Sequence, residues 1–307
     1  MASINDNFKE FLGNLQYTQK QREDAKTKYE GVCKSIAKHF LGVEYEEHMK
    51  FLFGSYKTKT HIRPIDEMQD VDVLFMIDEE IYLHYKDNPS QLLQAIRKAI
   101  QKTYSTTEKI SAWAKVVLVK FSDNAHNVEV LPGYEQEDGT FLIPNTENGG
   151  SWETFDPREQ IDRFVESNGN TKNLTRELVQ MIKSWVRNHS TLIYKSFHIV
   201  DDVIKFNNRI YPDGKEDVEY IRIVLDYLNW LSNNLPEYLI NYSSQIETAK
   251  QNIQKAMNYE AKGNLCDASE KLRDVFGDLF PKNDTNSNDD NSGILITRNP
   301  PRPWCRI

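Results

Sequence analysis

Residues 70–77 read DVDVLFMI, and this octapeptide leaves the folding chain little choice. Val73, Leu74, Phe75, Met76 and Ile77 have strand composition and enough apolar surface to require a sheet interior. Side chains two apart on a strand share a face, so Asp70 and Asp72 project together while Val71 and Val73 take the other side. Adjacent carboxylates at the mouth of a buried strand resist joint ionisation, and unpaired acids are costly to bury. A solvated strand end is the plain alternative for D-x-D. The apolar run behind the acids favours a bound cation, and hard oxygen donors of this kind suit Mg²⁺, with Mn²⁺ able to substitute.

A third carboxylate, Glu129, lies between Val128 and Val130 in the run NVEVL. Residues 127–131 read as a second strand, stopped by Pro132-Gly133, and Asp123 is a nearby competitor for the same role. If the two strands are neighbours, Asp70, Asp72 and Glu129 suffice for two divalent ions. Such a pair activates an attacking hydroxyl and clamps the attacking and leaving oxygens of an in-line displacement at phosphorus, the chemistry of nucleotidyl transfer. Upstream, Gly54-Ser55 is followed by Lys57, Thr60 and Arg63. Glycine admits a phosphate close to the backbone, and exposed N–H groups, a hydroxyl and cations can cradle it. This stretch, 56–66, reads as a loop or the start of a helix.

Around these motifs the chain changes character once. From 7 to 40 it reads as helix, with Phe8, Phe11, Leu12 and Leu15 on one face and a restart at Thr18. Residues 89–103 form a helix with Leu92, Leu93, Ile96 and Ile100 inward, and 114–121 a strand. From Asp156-Pro157 onward the periodicity is helical, over 157–166, 173–188, 217–234, 245–262 and 267–279. The fold class expected is α/β in the α+β sense: a catalytic lobe with a small, mostly antiparallel mixed sheet joined to a helical lobe, the nucleotide lying between them. The divisions are an N-terminal helical segment packing across the lobes (1–48), the catalytic core (49–156), the helical lobe (157–281), and a polar linker and tail (282–307). The proline-rich end, PPRPW, reads as a strap over the helical lobe or as a polyproline ligand.

Several function classes are disfavoured. Cys33, Cys266 and Cys305 are far apart and form no C-x-x-C pair, so a reduced compartment, the cytoplasm, is expected. No run of eighteen apolar residues is present, which argues against a membrane span. A net charge of −8, from 46 acidic and 38 basic residues, opposes general duplex binding. The seven histidines, His61, His126 and His198 among them, lack zinc-site spacing and read as structural or solvated. G-x-S-x-G is absent. Aromatics at 11% supply candidates for base stacking, among them Trp152, Phe155, Tyr194 and Phe197.

GSYKTKTHIRP leading to DVDVLF, followed by VEVLPG, resembles the polymerase-beta nucleotidyltransferase superfamily. With MIKSWVRN, YKSFHI, VFGDLFP and PPRPW, the likeness narrows to the bacterial relatives of cyclic GMP-AMP synthase, the CD-NTases of CBASS anti-phage defence. The resemblance implies that Gly54 and Ser55 hold the donor triphosphate and that Asp70, Asp72 and Glu129 hold two Mg²⁺ ions. It further implies that Lys183 and Ser196 contact phosphates, with Lys195 and Lys172 as further candidates. Implied substrates are nucleoside triphosphates, ATP and also GTP, and implied partners are accessory or effector proteins of a defence operon. The family's third acid is usually aspartate, so Glu129 departs from the pattern, and the animal enzyme's zinc insertion has no counterpart. A cyclic di- or trinucleotide is the expected product. Alternatives are a templateless transferase acting on RNA or protein, and a nucleotide-binding sensor with a dead metal site.

Overall fold

A computed structural model describes residues 3–65, 69–106, 109–122, 126–214 and 216–283. Asp66, Asp123, Cys305 and the tail motif PPRPW lie outside these residues. Two capped helices open the chain. Ser3 and Asp6 form a reciprocal capping box on α1 (Ile4–Leu15), and Thr18 and Gln21 form another on α2 (Gln19–Ile36), so the restart at Thr18 is a true helix start. A π-turn at Ala37–Leu41 ends in left-handed Gly42. Then come β1 (Lys50–Leu52), α3 (Gly54–Thr58), β2 (Asp70–Ile77), α4 (Glu79–Tyr85) and α5 (Pro89–Thr103), which starts with proline in its first turn. The hairpin of β3 (Lys109–Trp113) and β4 (Val116–Lys120) leads to β5 (Asn127–Glu135), β6 (Phe141–Asn145) and β7 (Ser151–Phe155). Helices then take over: α6 (Pro157–Asn170), α7 (Leu174–Asn188), α8 (Ser196–Ile210), α9 (Tyr220–Asn233), α10 (Ser243–Ala261) and α11 (Leu265–Phe276).

The sheet runs β1-β2-β5-β4-β3, with β6 beside β5 and β7 beside β6. Among the described residues only β2 and β5 pair in parallel, and the other ladders are antiparallel. One face of the sheet carries Val71, Val73, Phe75, Val128 and Val130 under α2 and α5. The opposite face carries Leu74, Leu131, Phe141 and Ile143. A separate and larger cluster fills the helical lobe around Trp185, Phe206, Tyr227 and Phe276. Into it α1 inserts Ile4, Phe8, Phe11, Leu12 and Leu15, all buried, while α2 packs on the sheet.

The structure corrects four expectations. β5 does not stop at Pro132-Gly133 but continues to Glu135. Its register with β4 ends at Val130 and that with β6 begins at Tyr134, so Pro132, which lacks an N–H, falls where the strand changes partners. The strand expected over 114–121 begins at Val116, because Ala114 adopts φ +52° in the turn from β3. β3, β6 and β7 extend the sheet beyond what the pattern gave, and α8 occupies a stretch read only as a motif.

Candidate active site

The parallel register of β2 and β5 sets Asp72 beside Glu129 and Asp70 beside Asn127. By strand alternation Asp70, Asp72 and Glu129 therefore share the face away from α2 and α5. Burial, followed by the charges of Glu129 and Asp70, pushes the Asp72 carboxyl up to about 7, against the pull of Lys183 and the Ser55 backbone N–H. Burial and then Asp70 likewise raise Glu129 to about 7. Asp70 thus opposes the ionisation of both Asp72 and Glu129, and Glu129 opposes that of Asp72.

Among the described residues no three carboxylate, imidazole or thiol side chains are gathered closely enough to hold a metal ion by themselves. Mg²⁺ habitually keeps water and substrate phosphate among its ligands rather than a complete protein cage, so a partial donor set is what such an ion requires of the protein. The donor set itself fits: hard oxygens on one face of adjacent strands, two of the three carboxyls raised by burial and by neighbouring acids so that a cation would favour their ionised forms.

Gly54 abuts this face. Its φ is +62°, and a Cβ there would lie 2.1 Å from Asp72 Oδ2, so glycine is required both by conformation and by space. The Phe53 N–H donates to the Asp72 carbonyl at 3.3 Å, tying the turn to the strand. Behind the turn, the Ser55 carbonyl accepts from the Thr60 N–H at 3.0 Å and from His61 Nδ1 at 3.3 Å. The Thr58 hydroxyl donates to the Gly54 carbonyl at 3.0 Å and pairs with the Thr60 hydroxyl at 3.0 Å. Burial takes His61 down to about 4, so it is neutral at physiological pH.

Lys183 approaches from α7 and donates to Thr60 Oγ1 at 3.4 Å. Burial lowers it to about 8, while Asp72 acts to keep it charged. The pattern reading did not single out its neighbours. Arg176, Gln180, Lys183 and Arg187 repeat at one helical face and together grip the segment 58–64: Arg176 Nε reaches the Thr58 carbonyl at 3.4 Å, Gln180 Nε2 the carbonyls of Lys59 and His61 at 3.0 and 3.3 Å, and Arg187 the Pro64 carbonyl at 2.7 Å. The signal was a polar stripe at four-, three- and four-residue spacing beside the apolar one.

Other candidates are not gathered in. Lys57 is exposed on α3, and Lys195 and Ser196 are exposed at the start of α8, their side chains hydrogen-bonded to no described residue. Arg63 turns away, its Nε donating to the Asn14 carbonyl at 2.9 Å. Lys172 pairs with Glu216 at 3.7 Å. Among the aromatics, Tyr194 is buried and donates to Asp202 at 2.7 Å, and Phe155 packs against Phe53. Trp152 donates to the Lys86 carbonyl at 3.0 Å. Phe197 alone of the four is largely exposed, at 57%. His126 contacts Asp24 at 3.0 Å.

Comparison with known proteins extends this geometry. Residues 1–168 match the Second Messenger Oligonucleotide or Dinucleotide Synthetase domain. A probable cyclic nucleotide synthase of Bacillus cereus is 25% identical, the match covering 76% of this chain and 82% of that protein. Among solved structures, the Vibrio cholerae DncV cyclic AMP-GMP synthase with nonhydrolyzable GTP aligns with a TM-score of 0.69 at 12% identity, covering 88% of this chain and 93% of that one. Escherichia coli CdnC with ATP aligns with a TM-score of 0.64 at 14% identity, covering 90% and 98%, and is also solved in a complex with HORMA-deltaN.

Proposed function

Because the chain belongs to the Second Messenger Oligonucleotide or Dinucleotide Synthetase family, that of the bacterial CD-NTases, we propose that Asp70, Asp72 and Glu129 hold Mg²⁺ beneath a nucleoside triphosphate bound against Gly54-Ser55 and Lys183. The protein is a nucleotidyltransferase that makes a cyclic nucleotide second messenger. The observation that carries the site assignment is the register of Asp72 beside Glu129 on parallel strands, with Gly54 pressed against Asp72 Oδ2.

The divalent ion would supply charge neutralisation and a more acidic attacking hydroxyl. The chain's own residues divide the remaining work. Gly54 lets a phosphate approach the backbone, and Ser55 offers a hydroxyl. Lys183 brings a positive charge toward developing negative charge on the phosphates, in a partly desolvated setting where that charge counts for more than in water. Thr60 contributes through its hydrogen bond from Lys183, whereas Lys57, Lys195 and Ser196, which are exposed and apart from the acids, are proposed only as outer contacts of the nucleotide. Mn²⁺ is expected to substitute. ATP and GTP are the substrates favoured, in keeping with the nucleotides of the DncV and CdnC structures. Anti-phage signalling in the cytoplasm, with an accessory protein, completes the reading; its support is the resemblance and the CdnC complex with HORMA-deltaN. Among the described residues no helix is long and apolar enough to cross a membrane.

The test is incubation of pure protein with the four nucleoside triphosphates and Mg²⁺, phosphatase treatment, and mass spectrometry. A phosphatase-resistant cyclic di- or trinucleotide is expected. Label from ATP appearing in RNA or protein would favour a templateless transferase, and nucleotide binding without any product would favour a sensor.

A further inference from the structure

Gln180 touches neither the acids nor any group placed against the triphosphate, yet it is the most buried polar side chain on the α7 face that meets the catalytic lobe, at 1% exposure. Its amide donates to two backbone carbonyls, those of Lys59 and His61, and its oxygen accepts from Gln16 Nε2 at 3.1 Å. The residues whose carbonyls it holds are interleaved with those that hold the phosphate turn. The Thr60 N–H and His61 Nδ1 both donate to the Ser55 carbonyl, and Lys59 sits in a left-handed conformation with φ +57°. The same short segment presents the Thr60 hydroxyl to Lys183.

We propose that Gln180 is a positioning residue for nucleotide binding: by clamping the Lys59 and His61 carbonyls from the helical lobe it fixes Gly54-Ser55 and Lys183 relative to one another. The inference rests on the reading that this turn and this lysine bind triphosphate. Its physical content is preorganisation. A buried amide that satisfies two carbonyls in a single geometry removes the freedom of the segment before the ligand arrives, so the ordering cost is not charged to binding. Loss of the amide leaves both carbonyls to be resatisfied in other geometries and lets the cradle drift from the cation.

Gln180→Met keeps length and removes the donors, whereas Gln16→Leu removes only the bond to the Gln180 oxygen. With ATP and GTP as substrates, and their nonhydrolysable analogues as binding probes, Gln180→Met is expected to raise KM and Kd at least about fivefold with kcat within about threefold of wild type. Gln16→Leu is expected to stay within about twofold in all three. Unchanged KM and Kd in folded Gln180→Met, a loss confined to kcat, or an equal effect of Gln16→Leu overturns the proposal. If Gln180→Met does not fold, Gln180→Asn, one methylene short, should shift Kd in the same direction, and a wild-type Kd there overturns it. A wild-type protein that binds neither nucleotide refutes the functional reading itself, and this inference with it; wild-type binding with an indifferent Gln180 refutes only the inference.

Discussion

Asp72 is where the constraints on single residues converge: a neighbour's Cβ is forbidden, another strand's acid lies alongside, and a lysine faces it. Its carboxyl titrates near 7, above that of an exposed aspartate, so the ionised form is the one the fold disfavours. Without metal, stability conferred by the neutral form is therefore present at low pH and lost as pH rises toward about 7, and a bound cation reverses that loss. The rise in melting temperature on adding Mg²⁺ with a nonhydrolysable nucleotide is expected to be larger at about pH 8 than at about pH 6 by scanning calorimetry. Asp72→Asn should lower the rate of pyrophosphate release by a factor on the order of a hundred or more while leaving the metal-free protein at least as stable as wild type. Gly54→Ala should abolish activity by displacing the Asp72 carboxylate, seen as lost turnover in a protein with a native circular dichroism spectrum. The acids were legible in the sequence because alternation fixes a face and an apolar run fixes a strand. The grip of α7 was not, since the spacing of Arg176, Gln180 and Arg187 on a helix does not say which segment is laid against them.

At the level of elements, long amphipathic helices and the apolar strands β2 and β5 were readable because their period repeats several times. Short strands were not: β6 is five residues with an internal Pro144, β7 is largely polar, and β3 alternates over a single hairpin arm. Pro132 misled for a physical reason, as proline is barred only where its N–H would be needed, and the gap between β4 and β6 needs none. α8 has its own apolar spacing, with Ile199, Val203 and Phe206 buried, a helical period as readable as that of its neighbours. The caps, by contrast, are local and readable. Thr18 accepts from the Gln21 N–H at 3.2 Å while Gln21 accepts from the Thr18 N–H at 2.9 Å. Thr18→Ala is expected to cost about 1 kcal/mol in urea denaturation and to leave KM unchanged, which separates stability from the site.

For the whole molecule, α1 and α2 are consecutive helices that belong to different cores, the first in the helical lobe and the second on the sheet. The Arg63 bonds to the carbonyls of Leu15 and Asn14 and the grip of α7 on 58–64 join the lobes near the site. Phe8 meets Phe276, Phe280 and Tyr220 within 6 Å of ring centroid, and Phe8→Ala is expected to cost about 3–5 kcal/mol by chemical denaturation. A net charge of −8 gives duplex DNA little to grip, so adding it should not raise turnover. The three acids that the β2–β5 register sets on one face are expected to share divalent ions with a triphosphate. A crystal grown with Mn²⁺ and a nonhydrolysable nucleotide tests it through anomalous scattering. Mn²⁺ peaks are expected within ligand distance of Asp70, Asp72 and Glu129, with phosphate oxygens completing the shell; a bound nucleotide with no peak there, or a peak that leaves Glu129 facing away, would overturn the site assignment.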